Sequence, residues 1–259
     1  MSAKKIIVDI DPNELNRMKL EQVEVKLACD AGEFIRELSR AAGENAELQE
    51  RNGVWKIWNR QGHGLRGKYP VVTEEHKNVQ GVVSAYYFID LLCKYTTAED
   101  VIVPESSGAA GEITYQAFKP KRGQKMKNAA GLGSMGFGLP YAIGACLANG
   151  GRRTILINGD GAFQMNIQEL ETLARLKLPV KIFIWNNQGY ASIRSMQNNI
   201  FGGFQVASGE SSGLTLPDTV RVAEAYGLRT FRISDNRQLE EQIERILNAE
   251  GPILCELLI

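Results

Sequence analysis

Histidine is almost missing from this chain of 259 residues: His63 and His76 are the only two, and both fall in a polar, loop-like region. That leaves no basis for a histidine-based metal centre or catalytic triad. Cysteine is sparse as well. Cys29, Cys93, Cys146 and Cys255 are scattered, without CxxC or zinc-ligand spacing, and mostly sit in apolar stretches, so free thiols in a reducing cytoplasm are expected. A net charge is also lacking, because 30 Lys and Arg cancel 30 Asp and Glu. Nothing electrostatic therefore favours nucleic acid or an anionic membrane as partner. No apolar run approaches the ~18 residues of a membrane span, and no signal-peptide pattern opens the chain. What remains is ordinary globular material. A hydrophobic fraction of 44% is ample for a core, and the length suits one large domain or one and a half.

The informative stretch is Thr154 to Tyr190, TILINGDGAFQMNIQELETLARLKLPVKIFIWNNQGY. A short β-rich run, Thr154 to Ile157, stops at Asn158-Gly159-Asp160-Gly161. A helical pattern follows, with Asn166 as expected N-cap, Glu169 as its capping-box partner, and Ile167, Leu170, Leu173 and Ala174 on one face. Pro179 ends it, and Val180 to Trp185 reads as a second buried strand running into Asn186-Asn187. Such a βαβ unit has parallel strands, adjacent or nearly so, and places Asp160 and Asn187 at the carboxyl-end edge where open α/β sheets bind ligands. A carboxylate and a carboxamide there suit a hard cation such as Mg²⁺, which shares its sites with phosphates. Gly159 and Gly161 would let backbone approach those phosphates. Either motif alone reads as a tight turn.

Around this unit, strands and helices alternate, as in a parallel sheet covered on both faces. Strands are expected at Lys4 to Ile10, Val23 to Leu27, Val101 to Val103, Thr230 to Ile233 and Ile253 to Leu258. Helices are expected at Asp30 to Ala42, Ser84 to Tyr95, from Pro140 to about Gly150, Pro217 to Tyr226 and Leu239 to Leu247. Residues 1–45 hold three small elements that cannot bury a core alone, and read as the tail of another domain. Residues 46–78 are polar, with Gly53, Gly62, Gly64 and Gly67, and read as a linker. The main domain is then 79–259. Within it, Ser107-Gly108-Ala109-Ala110 is a small-residue loop at a strand end, a second place for backbone to meet phosphate. The glycines at 131, 133, 136 and 138 resemble GxGxxG, but Lys125 to Ala130 is a poor strand, so nicotinamide binding is set aside. Residues 191–216 are expected to be an irregular, functional loop.

GDG, 24 intervening residues and NN, framing a βαβ unit, resemble the thiamine diphosphate (ThDP) signature. With GLGSMGFGLP and VDIDPNELNR in the same chain, the sequence resembles the C-terminal half of acetolactate-synthase-like ThDP enzymes, over roughly residues 4–45 and 79–259. The resemblance implies an open parallel α/β sheet of the ThDP-binding type, preceded by a small α/β remnant of a central domain. It implies Mg²⁺ on Asp160, the Asn187 side chain and the Gly189 carbonyl. The diphosphate would lie against Gly159, Gly161, Ala162, Tyr190 and the loop Ser107 to Ala110. Met135 would sit under the thiazolium ring, the backbone of Gly133 and Met135 would hold the aminopyrimidine edge, and Ser134 between them would belong to the cofactor-binding residues.

The implied reaction is ThDP- and Mg²⁺-dependent decarboxylation of a 2-oxo acid, pyruvate being the expected donor, with transfer of the acyl unit to a carbonyl acceptor. FAD would enter only in a full-length enzyme. The family's pyrimidine-binding domain, whose glutamate protonates N1′ of the aminopyrimidine, has no counterpart here. No catalytic residue is therefore assigned, and a partner chain or missing segment is expected to supply it within a homo- or hetero-oligomer. Two departures bear on the acceptor. Ala109-Ala110-Gly111 stand where acetolactate synthases carry Gln-His-Gln, and GYASIRSMQNNIFG lacks the tryptophan-bearing run of the biosynthetic enzymes. Three further readings stay open: a non-catalytic ThDP-binding module, a sugar-modifying relative in polysaccharide biosynthesis, and an unrelated phosphate-binding α/β protein.

Overall fold

The computed structural model describes residues 4–18, 23–129 and 131–259, which divide into two compact units, Met1–Pro70 and Val71–Ile259. In the first, β1 (Lys5–Asp9) leads through α1 (Pro12–Arg17) to β2 (Val23–Ala28), and the two strands pair in parallel. Asp11 caps α1 by accepting the Asn13 N–H at 2.8 Å, and Pro12 fits the first helical position. α2 (Ala31–Glu44) starts under an Asp30 cap, then α3 (Ala46–Glu50) and α4 (Asn52–Lys68) follow. Leu15 is the single buried apolar side chain among the described residues of this unit, as three small elements would lead one to expect. The stretch expected as an open linker is largely helical through α3 and α4. Its four glycines each cost about 1 kcal/mol of helix propensity, which is why the composition reads as connection.

The second unit alternates helix and strand: α5 (Glu74–Lys77), α6 (Ala85–Tyr95), β3 (Val101–Pro104), α7 (Gly108–Ala117), β4 (Lys125–Met126), α8 (Gly138–Ala148) and β5 (Thr154–Gly159). Then come α9 (Asp160–Phe163), a 3-10 turn at 164–169, α10 (Leu170–Leu176), β6 (Val180–Asn186), α11 (Ala191–Ile200), α12 (Thr219–Ala225), β7 (Arg229–Ile233), α13 (Leu239–Asn248) and β8 (Ile253–Leu258). The six strands form one parallel sheet in the order β4-β3-β5-β6-β8-β7. Strands buried on both faces need apolar side chains at consecutive positions, which is what ILI and IFIW supply. Alternation then divides them. Phe183 and Trp185 of β6 pack with Phe88, Leu92, Ile243 and Cys255 on one face. Ile182 and Ile184 pack with Leu139, Ile143, Phe163, Leu170 and Leu173 on the other.

The chain leaves β3 toward β4 on one side and leaves β5 toward β6 on the other. Between the carboxyl ends of β3 and β5 the loops diverge, and the crevice they open is where such sheets bind ligands.

Four local expectations are corrected. Asn166 does not cap a helix: its backbone is non-helical (φ −139°), α10 begins only at Leu170, and its amide donates to the Gly136 carbonyl at 2.8 Å. Residues 191–200, expected as loop, form α11, because Gln197 and Arg194 tie the helix to the chain around Ser208. Residues 108–110, also expected as loop, are the first turn of α7. Lys125–Met126, expected as a poor strand, does pair with β3, though over two residues only.

Candidate functional site

At the carboxyl end of the sheet lies a cavity of about 200 Å³. The turn after β5 contributes Gly159, Asp160, Gly161 and Ala162 to its wall, and the turn after β6 contributes Asn187, Gly189 and Tyr190. Ser107, Gly108, Ala109 and Ala110 enter from the first turn of α7, and Met135 from the segment before α8. Residues separated by up to 86 positions in the sequence thus share one cavity. Gly133 and Ser134 flank Met135 without lining the cavity. Four more residues line it that the sequence reading did not single out: Trp185, Ala191, Ser192 and Ile193.

Asp160 is 3% exposed. Its Oδ1 accepts the Gly161 N–H at 2.8 Å and its Oδ2 the Gly189 N–H at 3.1 Å, so the carboxylate bridges the two turns. Burial pushes its pKa up, and the backbone N–H groups around it pull the other way. Beside it, Asn187 Oδ1 is buried and accepts no hydrogen bond, and the indole N–H of Trp185 is buried and donates none. A buried acceptor and a buried donor left unmet on one cavity wall are the two polarities that a cation and an anion would satisfy. Among the described residues no three His, Cys, Asp or Glu gather as a metal cluster. A cation here would take one carboxylate, an amide oxygen and carbonyls, and would look to its companion anion for more oxygens.

Two of the site's glycines stand where close packing demands them. A Cβ at Gly161 would lie 2.4 Å from the Tyr190 ring, so this glycine makes room for the tyrosine. Gly159 faces open space. Gly189 has φ +121°, and a Cβ there would meet the Ser208 carbonyl at 2.6 Å. At α7, Ser107 makes no side-chain cap bond, and the first-turn N–H groups have no partner inside the helix, which suits an anion.

Two supporting side chains were invisible in the sequence. Arg194 donates to the carbonyls of Asn187, Gln188 and Ser208 at 2.7, 2.9 and 2.8 Å, holding the turn after β6 from behind. Glu105, 1% exposed at the end of β3, accepts the Ser106 N–H at 2.9 Å and the Gly138 N–H at 3.2 Å, which caps α8. Burial raises its pKa against those two donors. Next to it Asn158 is fully buried, and its amide opposes the rise in the Glu105 pKa alongside the two backbone donors.

Comparison with known proteins gives a consistent result. Residues 107–257 match the family model described as thiamine pyrophosphate enzyme, C-terminal TPP binding domain. The chain is similar to the acetolactate synthase large subunit of Cyanidium caldarium, 32% identical over 259 residues, which is all of this chain and 42% of that protein. It is also similar to acetolactate synthase 1, chloroplastic, of Zea mays, 29% identical over 99% of this chain and 40% of the relative. Among solved structures it resembles the thiamine diphosphate-dependent 4-hydroxybenzoylformate decarboxylase of Rhodococcus jostii RHA1. That match has a TM-score of 0.61 and 27% identity, over 70% of this chain and 33% of that one. The chain therefore spans about two fifths of the length of the curated relatives it matches.

Proposed function

The chain belongs to the thiamine pyrophosphate enzymes, matching their C-terminal TPP binding domain, and from that premise we propose that its carboxyl-end cavity holds ThDP through Mg²⁺. In this reading Asp160, the Asn187 side chain and the Gly189 carbonyl are the metal ligands. The turn Gly159 to Ala162, the first turn of α7 from Ser107 to Ala110, and Tyr190 receive the diphosphate. Met135 supports the ring system from the side of the segment before α8, with the backbone of Gly133 and Ser134 beside it. The observation that carries the reading is the unmet Asn187 Oδ1 next to the buried Asp160 carboxylate. A cation against both oxygens would satisfy the amide and favour the ionised carboxyl.

Bound there, ThDP supplies the electron sink for decarboxylating a 2-oxo acid, and the protein's part is to bind, orient and polarise. The relatives' names support this chemistry: acetolactate synthases on one side, a benzoylformate-type decarboxylase on the other. We take pyruvate as the donor and a carbonyl compound as acceptor. Residues 79–259 then form the diphosphate-binding domain, and residues 1–45 belong to a neighbouring central domain. The aminopyrimidine side of the cofactor is completed by a pyrimidine-binding domain elsewhere in the assembly. Met135 shapes the bound cofactor more than it anchors it, so Met135→Ala lowers turnover further than affinity.

The catalytic half of the proposal is tested by following CO₂ and acetolactate from pyruvate with ThDP and Mg²⁺. The chain is assayed alone and with a separately produced pyrimidine-binding domain. Product only in the mixture is expected. Sustained CO₂ release from the chain alone would mean that a proton-transfer group lies within these residues. Silence in both, with ThDP bound, would leave a binding module.

A further inference from the structure

The turn after β6 is gripped from two sides. Behind it, Arg194 Nη2 donates to the Asn187 carbonyl and Nη1 donates to the Gln188 carbonyl, at 2.7 and 2.9 Å. In front, the N–H of Gln188 donates to Asn186 Oδ1 at 3.1 Å, and the N–H of Gly189 donates to Asp160 Oδ2 at 3.1 Å. The peptides 187–188 and 188–189 are thus held at both ends of their dipoles. A carbonyl drawn toward a guanidinium makes the N–H of the same peptide a better donor, so the grip on Asp160 is strengthened through the bond. Gly189 lines the cavity, and its own carbonyl is not among the three that Arg194 takes.

The chain around the guanidinium is shaped to it. A Cβ on Gly189 would lie 3.0 Å from Arg194 Nη1, and a Cβ on Gly209 would lie 3.1 Å from Nη1 and 3.4 Å from Cδ. Nη1 also takes the Ser208 carbonyl at 2.8 Å, joining the two stretches of chain on which those glycines stand. Arg194 belongs to no ion pair among the described residues, so its charge is spent on carbonyl oxygens. A planar fork with five donors can hold three carbonyls at once, which a lysine ammonium on a single stem matches poorly.

The geometry points to Arg194 as a positioning residue for the cation. It touches neither metal nor cofactor. Its guanidinium fixes the 187–189 turn in the orientation that presents the Asn187 side chain and the Gly189 carbonyl alongside Asp160. The inference rests on the assignment of those three groups as metal ligands.

The test is Mn²⁺ binding followed by electron paramagnetic resonance at saturating ThDP, alongside calorimetric titrations of ThDP at several Mg²⁺ concentrations. Arg194→Lys is expected to raise the Mn²⁺ Kd about tenfold, and Arg194→Ala further still. ThDP affinity should return in both when metal is raised, with the melting temperature of the ligand-free chain unchanged, whereas general loosening of the fold would lower that temperature. Added guanidinium at non-denaturing concentration should recover part of the loss in Arg194→Ala and none in the lysine variant. Gly209→Ala tests the same contact without changing charge. Its backbone is extended (φ −169°), so alanine is tolerated there, and its methyl displaces the guanidinium. A smaller rise in Mn²⁺ Kd is expected. Normal metal-dependent ThDP binding by the unsubstituted chain, with Kd within twofold in Arg194→Lys and Gly209→Ala, would overturn the clamp alone. No such binding by the unsubstituted chain would overturn the ligand assignment, and this inference with it.

Discussion

The two ends of the same parallel sheet are built on opposite terms. At the amino end, buried charge is hydrogen-bonded, although burial and the nearby Arg153 lower the Lys181 pKa to about 8. Arg153, just before β5, donates to both oxygens of Asp100 at 2.7 and 2.6 Å and to the Leu247 carbonyl at 2.8 Å. Lys181, near the start of β6, donates to the carbonyls of Ala249 and Gly251 at 2.6 and 2.7 Å. At the carboxyl end, along β6 and the turn after it, the indole N–H of Trp185 and Asn187 Oδ1 are buried and unmatched. Glu105 and Asp160 are carboxyls with raised pKa at that end as well. An unpaired buried polar group costs about 1–3 kcal/mol, so the unmet Trp185 N–H and Asn187 Oδ1 place instability where a ligand can remove it, while Glu256, buried toward the same end, is paired with Arg232 and Asn186. The amino end holds the fold together, and the carboxyl end is shaped for what it binds.

The comparison breaks most sharply at Asp160. Asp160→Ala is expected to weaken ThDP binding at least about a thousandfold, since the one carboxylate on the cavity wall goes with it. Its melting temperature without ligand should change little, because relief of a buried carboxyl with a raised pKa offsets the loss of the acceptor for the Gly161 and Gly189 N–H groups. Asp100→Ala should do the reverse. It strands Arg153, 22% exposed, without its carboxylate, at a cost of about 3 kcal/mol in urea unfolding, while ThDP affinity in the folded fraction stays within twofold.

Trp185→Phe sharpens the contrast at one side chain. The unmatched donor goes together with three heavy atoms of a ring system that is 1% exposed, so the ligand-free chain should lose about 1–3 kcal/mol to the space left behind. ThDP affinity should drop about fivefold if that N–H meets the bound anion. Unchanged affinity would put Trp185 with the core.

The smallest effect expected is one of pH. The folded pKa of Glu105 lies above its unfolded value, so across that window the native state keeps a proton that the unfolded chain has lost. Stability therefore falls as pH rises from about 4.5 through the raised folded value. Glu105→Gln should flatten that decline in melting curves from pH 4 to 7. An identical profile in the variant would contradict the assignment.

Much of this was legible in the chain. GDG and NN end the two strands of one βαβ unit, and those strands are runs of Ile, Leu, Val and Phe, the pattern of strands buried on both faces. That pattern places Asp160 and Asn187 on one edge, and the family resemblance adds Gly189. Local propensity misled where tertiary contact decides. Four glycines hid α4, and Ser195, Asn198 and Asn199 hid α11. Asn166 looked like a helix cap but is spent on the Gly136 carbonyl. Arg194, Trp185 and Glu105 carry no motif. Their parts come from carbonyls, cavity walls and helix ends that only the fold brings to them.

The central claim, that the open end of the sheet is completed by a metal-held diphosphate, is tested most directly by one calorimetric experiment. ThDP is titrated into the chain in excess Mg²⁺, then in chelator, then with Mg²⁺ restored. The account predicts one saturable site in Mg²⁺, its loss in chelator and its full return. Equal affinity in chelator, or no binding in Mg²⁺ by a chain that melts cooperatively, would contradict it.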